Sequence, residues 1–231
     1  MHLIMFDLDG TLIKSNTLDT RCLLGAIERC MGIKDIDSDW TKYNYVTDAG
    51  IVSEIVEREL NRQVTDKELK YICKNLIELL QSEAHIDHEK FAPIPGAIET
   101  LCILKTIDDC GLAIATGCWK ESAFFKLATA GFNVINLPIA SSDDSYNREE
   151  IMTIAYERAM VFHRVDGFKT VTYVGDGIWD IKASQRLGFN FIGIASNDHK
   201  RSLNQAGAVY ILNDFSDQAS FFAAINEIWD A

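Results

Sequence analysis

The chain has 231 residues, of which 48% are hydrophobic and 24% charged, a balance typical of a folded protein with one large domain or a core carrying an inserted module. Its formal net charge of -12 would repel a phosphate backbone over most of the surface, so we expect no nucleic-acid partner. The six cysteines form no CxxC pair, no signal peptide is evident, and no stretch approaches the roughly 20 apolar residues of a membrane span. These features predict a cytoplasmic protein with reduced thiols and no membrane partner.

Short apolar runs predict five buried β-strands, at 2–8, 112–116, 134–140, 170–175 and 191–195. Segments with helical periodicity lie between them, at 96–107, 121–130, 148–160 and 179–187. This alternation predicts an α/β fold with a doubly wound, Rossmann-like core, in which helices cover both faces of a parallel sheet. We expect 209–212 to add an edge strand and 219–229 a closing helix.

The alternation is interrupted between roughly residues 15 and 92, where helices are predicted at 18–31, 51–60 and 66–83. We interpret this segment as an inserted helical module. Pro93 and Pro95 mark its far boundary, since Pro95-Gly96 opens the next core helix. The predicted domains are therefore a core of residues 1–14 and 93–231, and a helical module of residues 15–92.

Paired carboxylates follow the first predicted strand. Asp7 and Asp9 point in the same general direction along an extended chain, and Gly10 permits a sharp exit from the strand. The fourth strand likewise ends at Asp176, with Asp180 four residues later. Ligands bind at the carboxyl ends of parallel strands, and clustered acids are costly unless a cation joins them. If the two strands are neighbours, the pattern predicts a site for a hard divalent ion, Mg²⁺.

Three segments together resemble motifs of the haloacid dehalogenase superfamily. The segment Asp7-Leu8-Asp9-Gly10-Thr11 is similar to its first motif, Ala115-Thr116-Gly117 to its second, and Gly175-Asp176 through Asp180 to its fourth. The resemblance implies that the first and fourth strands lie side by side and that the insertion is an α-helical cap over the site. It also implies a phosphatase that hydrolyses a small phosphomonoester.

The resemblance assigns roles to the acids. Asp7 would be the nucleophile that forms a phosphoaspartate, and Asp9 would carry the proton, which requires an environment favouring its protonated form for part of the cycle. Asp7, Asp176 and the backbone carbonyl of Asp9 would hold Mg²⁺. Asp180 would bind the metal through water or support its ligands.

The third motif is usually a lysine, but the expected region offers Arg148. Arg148 would neutralise the phosphoryl group, although a solvated residue in the first turn of a helix is the alternative. Thr116 and the Gly117 amide would donate to phosphoryl oxygens. In the cap, Thr47 and Asp48 resemble a loop that contacts the substrate, and helix capping is their alternative role.

Other functions remain open. Asp9 disfavours the dehalogenases and phosphonatases of this superfamily, which lack an acid there. A phosphoglucomutase-like phosphosugar mutase keeps both acids and is the closest alternative; a phospho-acceptor signalling domain is another, although such domains lack the helical insertion. We expect His85 and His88 to lie in a solvated linker, and Cys118 to be an unreactive thiol. The expected partner is a small phosphorylated metabolite, resemblance to phosphoglycolate phosphatases is general, and the expected assembly is a monomer or homodimer.

Overall fold

The computed structural model describes residues 1–133 and 136–230. Its centre is a six-stranded parallel sheet in the order β3-β2-β1-β4-β5-β6, which confirms the doubly wound, Rossmann-like α/β core. The strands are β1 (His2–Phe6), β2 (Cys110–Ala115), β3 (Ile139–Ala140), β4 (Val171–Gly175), β5 (Asn190–Ile194) and β6 (Tyr210–Leu212). Because β1 pairs with both β2 and β4, the first and fourth predicted strands are neighbours.

Between β1 and the next core helix the described chain is helical. It contains α1 (Asn16–Met31), α2 (Asp48–Leu60) and α3 (Asp66–Ile86), with 3-10 helices at Trp40–Lys42 and His88–Phe91. Helices α1 and α3 pack against each other. His85 lies in the last turn of α3 and His88 opens the second 3-10 helix, and both are exposed. We call this helical segment the cap. The division of the chain into a core of residues 1–14 and 93–231 and a cap domain of residues 15–92 stays a prediction.

Two hydrophobic clusters cover the two faces of the sheet. Along β1, Ile4 and Phe6 pack into one cluster while Leu3 and Met5 pack into the other, as the strand's alternation requires. The first cluster includes α4 (Ala97–Leu104), α5 (Lys120–Thr129), α9 (Gln218–Asp230) and the cap helices. The second includes α6 (Arg148–His163), α7 (Ile178–Leu187) and α8 (Asn197–Gln205). Burial on both faces explains why the strands appear in the sequence as apolar runs.

The differences from the predicted elements have local causes. The strand expected at 134–140 is reduced to Ile139–Ala140, and Val134 and Ile135 lie outside the described residues. Helix α8 was not predicted because its sequence is polar: Leu203 is its one buried residue. No helix in the described ranges is long and apolar enough to cross a bilayer.

The exit from β1 sets the geometry of the sheet's carboxyl edge. The Asp7 N–H still donates to the Val174 carbonyl at 2.9 Å, and the chain then turns at Gly10, whose φ is +81°. A Cβ at Gly10 would collide with the Asp176 carboxylate. Glycine is therefore required both by the backbone conformation and by the close approach of the fourth strand's acid.

Candidate active site

Three carboxylates meet at the carboxyl ends of β1 and β4. One carboxylate oxygen each from Asp7, Asp176 and Asp180 lie within 4.8 Å of one another. Asn16 Nδ2 donates to Asp176 Oδ2 at 2.8 Å, and the Gly177 N–H donates to Asp180 Oδ2 at 3.0 Å. The buried Asp180 Oδ1 has no hydrogen-bond donor among the described residues. We call Asp7, Asp176 and Asp180 the nucleophile cluster, after the role that the resemblance implies for Asp7.

The electrostatics of the nucleophile cluster favour a bound cation. Burial and the neighbouring Asp180 charge raise the pKa of Asp7 well above its usual value, and the same two causes raise the pKa of Asp176 to about 7. Raised values show that the negative charge is not fully compensated by protein groups. An all-oxygen set with an unpartnered carboxylate oxygen fits a hard divalent ion such as Mg²⁺.

Arg148 is the positive side chain of the nucleophile cluster. It is the first residue of α6, after the N-cap Asn147, and it is only 9% exposed. Its Nη1 lies 3.2 Å from Asp7 Oδ1, and its Nε lies 3.4 Å from Asp180 Oδ1 in an ion pair too poorly aligned for a hydrogen bond. The structure thus places Arg148 inside the site and not in the solvated position that was its alternative.

The loop after β2 lies between Asp7 and the cap. Buried Thr116 accepts a hydrogen bond from the Cys118 N–H at 3.2 Å through its hydroxyl. The Gly117 carbonyl accepts the Asp48 N–H at 2.7 Å. A Cβ at Gly117 would lie 2.9 Å from the Val46 carbonyl oxygen, so a larger residue would push the cap loop away.

Thr47 and Asp48 are buried at this junction, with 2% and 5% exposure. Thr47 is the N-cap of α2: its hydroxyl accepts the Gly50 N–H at 3.2 Å and donates to the Tyr146 carbonyl at 2.9 Å. Asp48 is the first residue of α2 and accepts the Trp119 N–H at 2.8 Å. Thr47 therefore caps its helix, as the alternative reading expected, whereas the Asp48 side chain contacts the core.

Asp9 belongs to a different charge cluster from Asp7. The ammonium of Lys126, which is fully buried, lies 2.6 Å from Asp9 Oδ2 and 2.7 Å from Asp19 Oδ1. It also lies 3.0 Å from the Cys118 sulfur, which is itself 2.6 Å from Asp9 Oδ2. The Ser15 hydroxyl donates to the other Asp9 oxygen. We call Asp9, Asp19 and Lys126 the lysine cluster.

The Lys126 ammonium compensates the two carboxylates of the lysine cluster, Asp9 and Asp19, to different extents. Burial opposes ionisation of Asp9, but the Lys126 charge and the hydrogen bonds from Cys118, Lys126 and Ser15 lower its pKa overall. Asp19 shares the same ammonium with fewer donors, so burial prevails and raises its pKa to about 6. Asp9, Asp19 and Cys118 have metal-ligand spacing, but the Lys126 ammonium already contacts all three. Burial also raises the pKa of Cys118 well above its usual value, as expected of an unreactive thiol.

Sequence reasoning missed Lys126 and Asp19. Helical periodicity contained the signal, because Lys126 lies on the buried face of α5 with Ser122, Ala123 and Leu127. Asp19 similarly lies on the buried face of α1 beside Leu18. A charged residue on an otherwise buried helix face needs a partner of opposite charge.

A cavity of about 120 Å³ lies between core and cap above these clusters. It brings together most of the residues singled out in the sequence; those lining it are Asp7, Asp9, Thr47, Asp48, Thr116, Gly117, Arg148 and Asp176. Asp180 lies beneath it, fully buried. The cavity therefore opens onto the carboxyl edge of the sheet, where Asp7 and Arg148 meet.

The fold and the acidic site at its strand ends define an enzyme of the hydrolase class. A family model described as haloacid dehalogenase-like hydrolase matches residues 4–194, and the chain belongs to that family. No curated protein sequence matches the chain.

Solved structures share the fold over nearly the whole chain. A hydrolase from Pseudomonas syringae is 21% identical with a TM-score of 0.74, covering 97% of this chain and 99% of that one. A protein from Bacteroides vulgatus, considered a beta-phosphoglucomutase, is 17% identical with a TM-score of 0.71, covering 99% and 90%. A protein from Haemophilus somnus, inferred to be a phosphoglycolate phosphatase, is 18% identical with a TM-score of 0.54, covering 95% and 97%. At these identities the likeness shows the fold alone.

Proposed function

We propose that this enzyme is a Mg²⁺-dependent phosphatase that hydrolyses a small phosphorylated metabolite through a phosphoaspartate on Asp7. The observation that supports it is the position of Asp7: it lines the cavity, contacts Arg148 and shares its oxygen cluster with Asp176 and Asp180. A cytoplasmic location is part of the proposal, because all six cysteines are free. The assembly, a monomer or homodimer, stays a prediction.

Asp7, Asp176 and the backbone carbonyl of Asp9 would hold Mg²⁺, with Asp180 supporting them directly or through water. When bound, the ion would neutralise charge on the phosphoryl group and on the clustered carboxylates. The raised pKa values of Asp7 and Asp176 support this assignment, since a bound cation would favour their ionised forms.

The chain's own residues would orient the reaction. Asp7 attacks phosphorus while the leaving alcohol faces the cap, so that hydrolysis is divided into two easier displacements. Arg148 offers donors beside Asp7, where the equatorial phosphoryl oxygens would lie. Thr116 and the Gly117 amide line the same cavity and would donate to these oxygens. The cap loop against Gly117 would exclude bulk water.

Asp9 is arranged as a base. Its carboxylate is held ionised by Lys126, the form needed to take a proton from the water that cleaves the phosphoaspartate. The expected environment favouring a protonated Asp9 is not present in this conformation. To protonate the leaving alcohol in the first step, Asp9 would have to weaken its contact with Lys126 when substrate binds.

The phosphosugar mutase is the second candidate, because both acids are present and one structure of the same fold carries that name. A mutase must hold a bisphosphate with its second phosphate toward the cap. Among the described residues that line the cavity, the cap supplies no lysine or arginine. The cap lining therefore supports hydrolysis, whereas a distal phosphate would have to reach Lys182 and Arg186 of α7, which line an adjoining cavity.

Two measurements test the proposal. Phosphate release from a panel of small phosphomonoesters, compared with isomerisation of sugar phosphates, distinguishes phosphatase from mutase. Acid-quenched Asp9→Asn protein incubated with radiolabelled acetyl phosphate should carry hydroxylamine-sensitive label, since the second displacement is slowed. The Asp7→Asn/Asp9→Asn double variant should carry none. Label of equal amount in both proteins would refute the covalent role of Asp7.

A further inference from the structure

The cap side of the 120 Å³ cavity is unusually acidic for a pocket that receives a phosphate ester. Asp19 from α1 and Asp48 from α2 line it, with the hydroxyl residues Thr20 and Thr47 beside them. Arg148 is the one cationic residue among the described lining residues, and it belongs to the core and pairs with Asp7. The phosphate-binding end of the cavity therefore has a cationic side chain, whereas the described part of the cap side has none.

Asp48 is the best indicator of what the cap side would bind. It is 5% exposed, and one of its carboxylate oxygens accepts the Trp119 N–H at 2.8 Å. Among the described residues no donor reaches its other oxygen, and that oxygen is not one of the fully enclosed atoms without a partner, so a ligand in the cavity can reach it. Burial, with the charge of Asp19 added, raises the pKa of Asp48 well above its usual value. The Lys126 ammonium is already shared by Asp9 and Asp19, so it leaves Asp48 short of a cation.

We propose that the substrate's leaving group carries a short-chain ammonium group that pairs with Asp48 and Asp19, making the substrate class phosphate monoesters of small amino alcohols. The inference rests on the proposed phosphatase function. With the phosphoryl group beside Asp7 and Arg148, the alcohol portion lies against the cap wall. An ammonium there makes charge-assisted hydrogen bonds, whereas a carboxylate would face two acids in a water-poor cavity. Phosphoglycolate is therefore expected to be a poor substrate.

A second cavity limits the inference to short leaving groups. It has a volume of about 550 Å³, adjoins the first at Trp40, Val46, Arg148 and Trp179, and is also lined by Lys182 and Arg186 of α7. A long leaving group with a distal anion could reach those cations without meeting the cap wall. A test with esters of equal, short length avoids this route.

The decisive substrates are three two-carbon esters that differ only at the far end: ethanolamine phosphate, 2-hydroxyethyl phosphate and phosphoglycolate. Each kcat/KM is measured at saturating Mg²⁺ and divided by that for acetyl phosphate with the same protein. We expect the order ammonium, hydroxyl, carboxylate, with at least a tenfold ratio between the first and the last. A ratio of ten or more supports the inference, and any smaller ratio overturns it. If even acetyl phosphate releases no phosphate, the proposed phosphatase function itself fails, and the inference falls with it.

Asp48→Asn tests whether the cap wall causes the discrimination, because the amide oxygen can still accept the Trp119 N–H. The matched control is Asp66→Asn. Asp66 is also the first residue of a cap helix after a threonine N-cap, but it is exposed and outside the cavity. The ammonium-to-carboxylate ratio should fall at least fivefold in Asp48→Asn and stay unchanged in Asp66→Asn. A ratio that falls equally in both variants, or in neither, assigns the selectivity elsewhere and overturns the role of Asp48.

Discussion

The nucleophile cluster and the lysine cluster show two ways of burying carboxylates. In the lysine cluster, an ammonium from the chain lies within 2.7 Å of both acids. In the nucleophile cluster, Arg148 reaches only one oxygen of Asp7 well, at 3.2 Å, and Asp180 Oδ1 lacks a hydrogen bond. The lysine cluster is neutralised by a side chain of the protein. The nucleophile cluster has carboxylate oxygens available for an exchangeable metal ion.

The comparison is sharpest between Asp7 and Asp9. The two acids are two residues apart, yet burial and Asp180 raise the pKa of Asp7. Burial also opposes ionisation of Asp9, but the Lys126 charge and the hydrogen bonds to Asp9 together lower its pKa. These opposite pKa shifts suit different tasks. Asp7 lies among other carboxylates and needs a bound cation to be ionised, whereas Asp9 lies beside the Lys126 ammonium and is ionised without one. The position of Lys126 thus gives Asp7 and Asp9 opposite pKa shifts, which fits the two roles proposed for them.

Asp7→Asn should have the largest effect of any single change. The amide keeps the shape and can still accept from Arg148, but it loses the nucleophile, so kcat should fall at least about 10³-fold. Thermal stability of the metal-free protein should be unchanged or raised, because the substitution removes a charge that Asp180 opposes. Steady-state phosphate release and a thermal melt measure both. Residual activity within tenfold of the native enzyme would remove Asp7 from the mechanism.

Metal removal distinguishes the two clusters directly. Activity should disappear with EDTA, return with Mg²⁺, and be lower in Ca²⁺, whose larger ligand number disturbs in-line attack. Asp176→Asn should raise the Mg²⁺ concentration for half-maximal activity at least about tenfold, since it removes an oxygen ligand from the exchangeable site. Asp19→Asn should leave that concentration unchanged, because Lys126 is the cation of its cluster. Equal Mg²⁺ requirements in both variants would contradict the division.

Lys126→Met breaks the lysine cluster. Asp9 and Asp19 would then be buried without their cation, and removing one partner of such an arrangement costs about 3–5 kcal/mol of unfolding free energy. Lys120→Met is the control, because Lys120 is exposed in the first turn of the same helix. Chemical denaturation measures both. Recovery of part of the stability in the Lys126→Met/Asp19→Leu double variant would identify unpaired charge as the cause, and no recovery would indicate lost packing.

The nucleophile cluster was largely predictable from the sequence, and the lysine cluster was not. Acids at the ends of apolar strands mark the carboxyl edge of a parallel sheet, so Asp7 and Asp176 were found from strand positions alone. Lys126 and Asp19 lie within helices, more than a hundred residues apart, and meet only in the tertiary fold, where α3 packs against both α1 and α5. Periodicity gives the buried face of each helix but not the helix that it faces.

The same limit explains the other differences. Arg148 was assigned because it lies where the resemblance places the third motif, but its burial against Asp7 depends on the strand order. Helix α8 contains a single apolar residue, Leu203, and strand β3 has only two residues, so neither leaves a recognisable apolar pattern. Which residues touch across the cap-core junction is a property of the tertiary fold.

The pH dependence of stability gives a moderate and cluster-specific effect. The pKa of Asp176 is about 7 in the folded protein and near 3.8 when unfolded, so folding strengthens proton binding and stability rises as pH falls through 7. In EDTA, the melting temperature should therefore rise by about 2 °C between pH 8 and pH 6.5. Saturating Mg²⁺ should suppress this rise, since it holds the carboxylates ionised. The same rise with and without Mg²⁺ would place its source outside the nucleophile cluster.

The smallest expected effect compares two threonine N-caps of the cap helices. Thr47 caps α2 and also donates to the Tyr146 carbonyl of the core, whereas exposed Thr65 caps α3 in a capping box with Glu68 and contacts only its own helix start. Replacing either with alanine should cost about 1 kcal/mol of unfolding free energy, because each leaves helix amides without an acceptor. Only Thr47→Ala also frees the cap loop beside the cavity. That variant alone should therefore raise KM for the preferred ester, by about three- to tenfold. Its KM for acetyl phosphate should change much less. Denaturant titration and kinetics on the two esters separate the effects. If Thr65→Ala raises KM as much as Thr47→Ala, overall cap stability controls substrate binding, and if neither does, the bond to Tyr146 has no part in it.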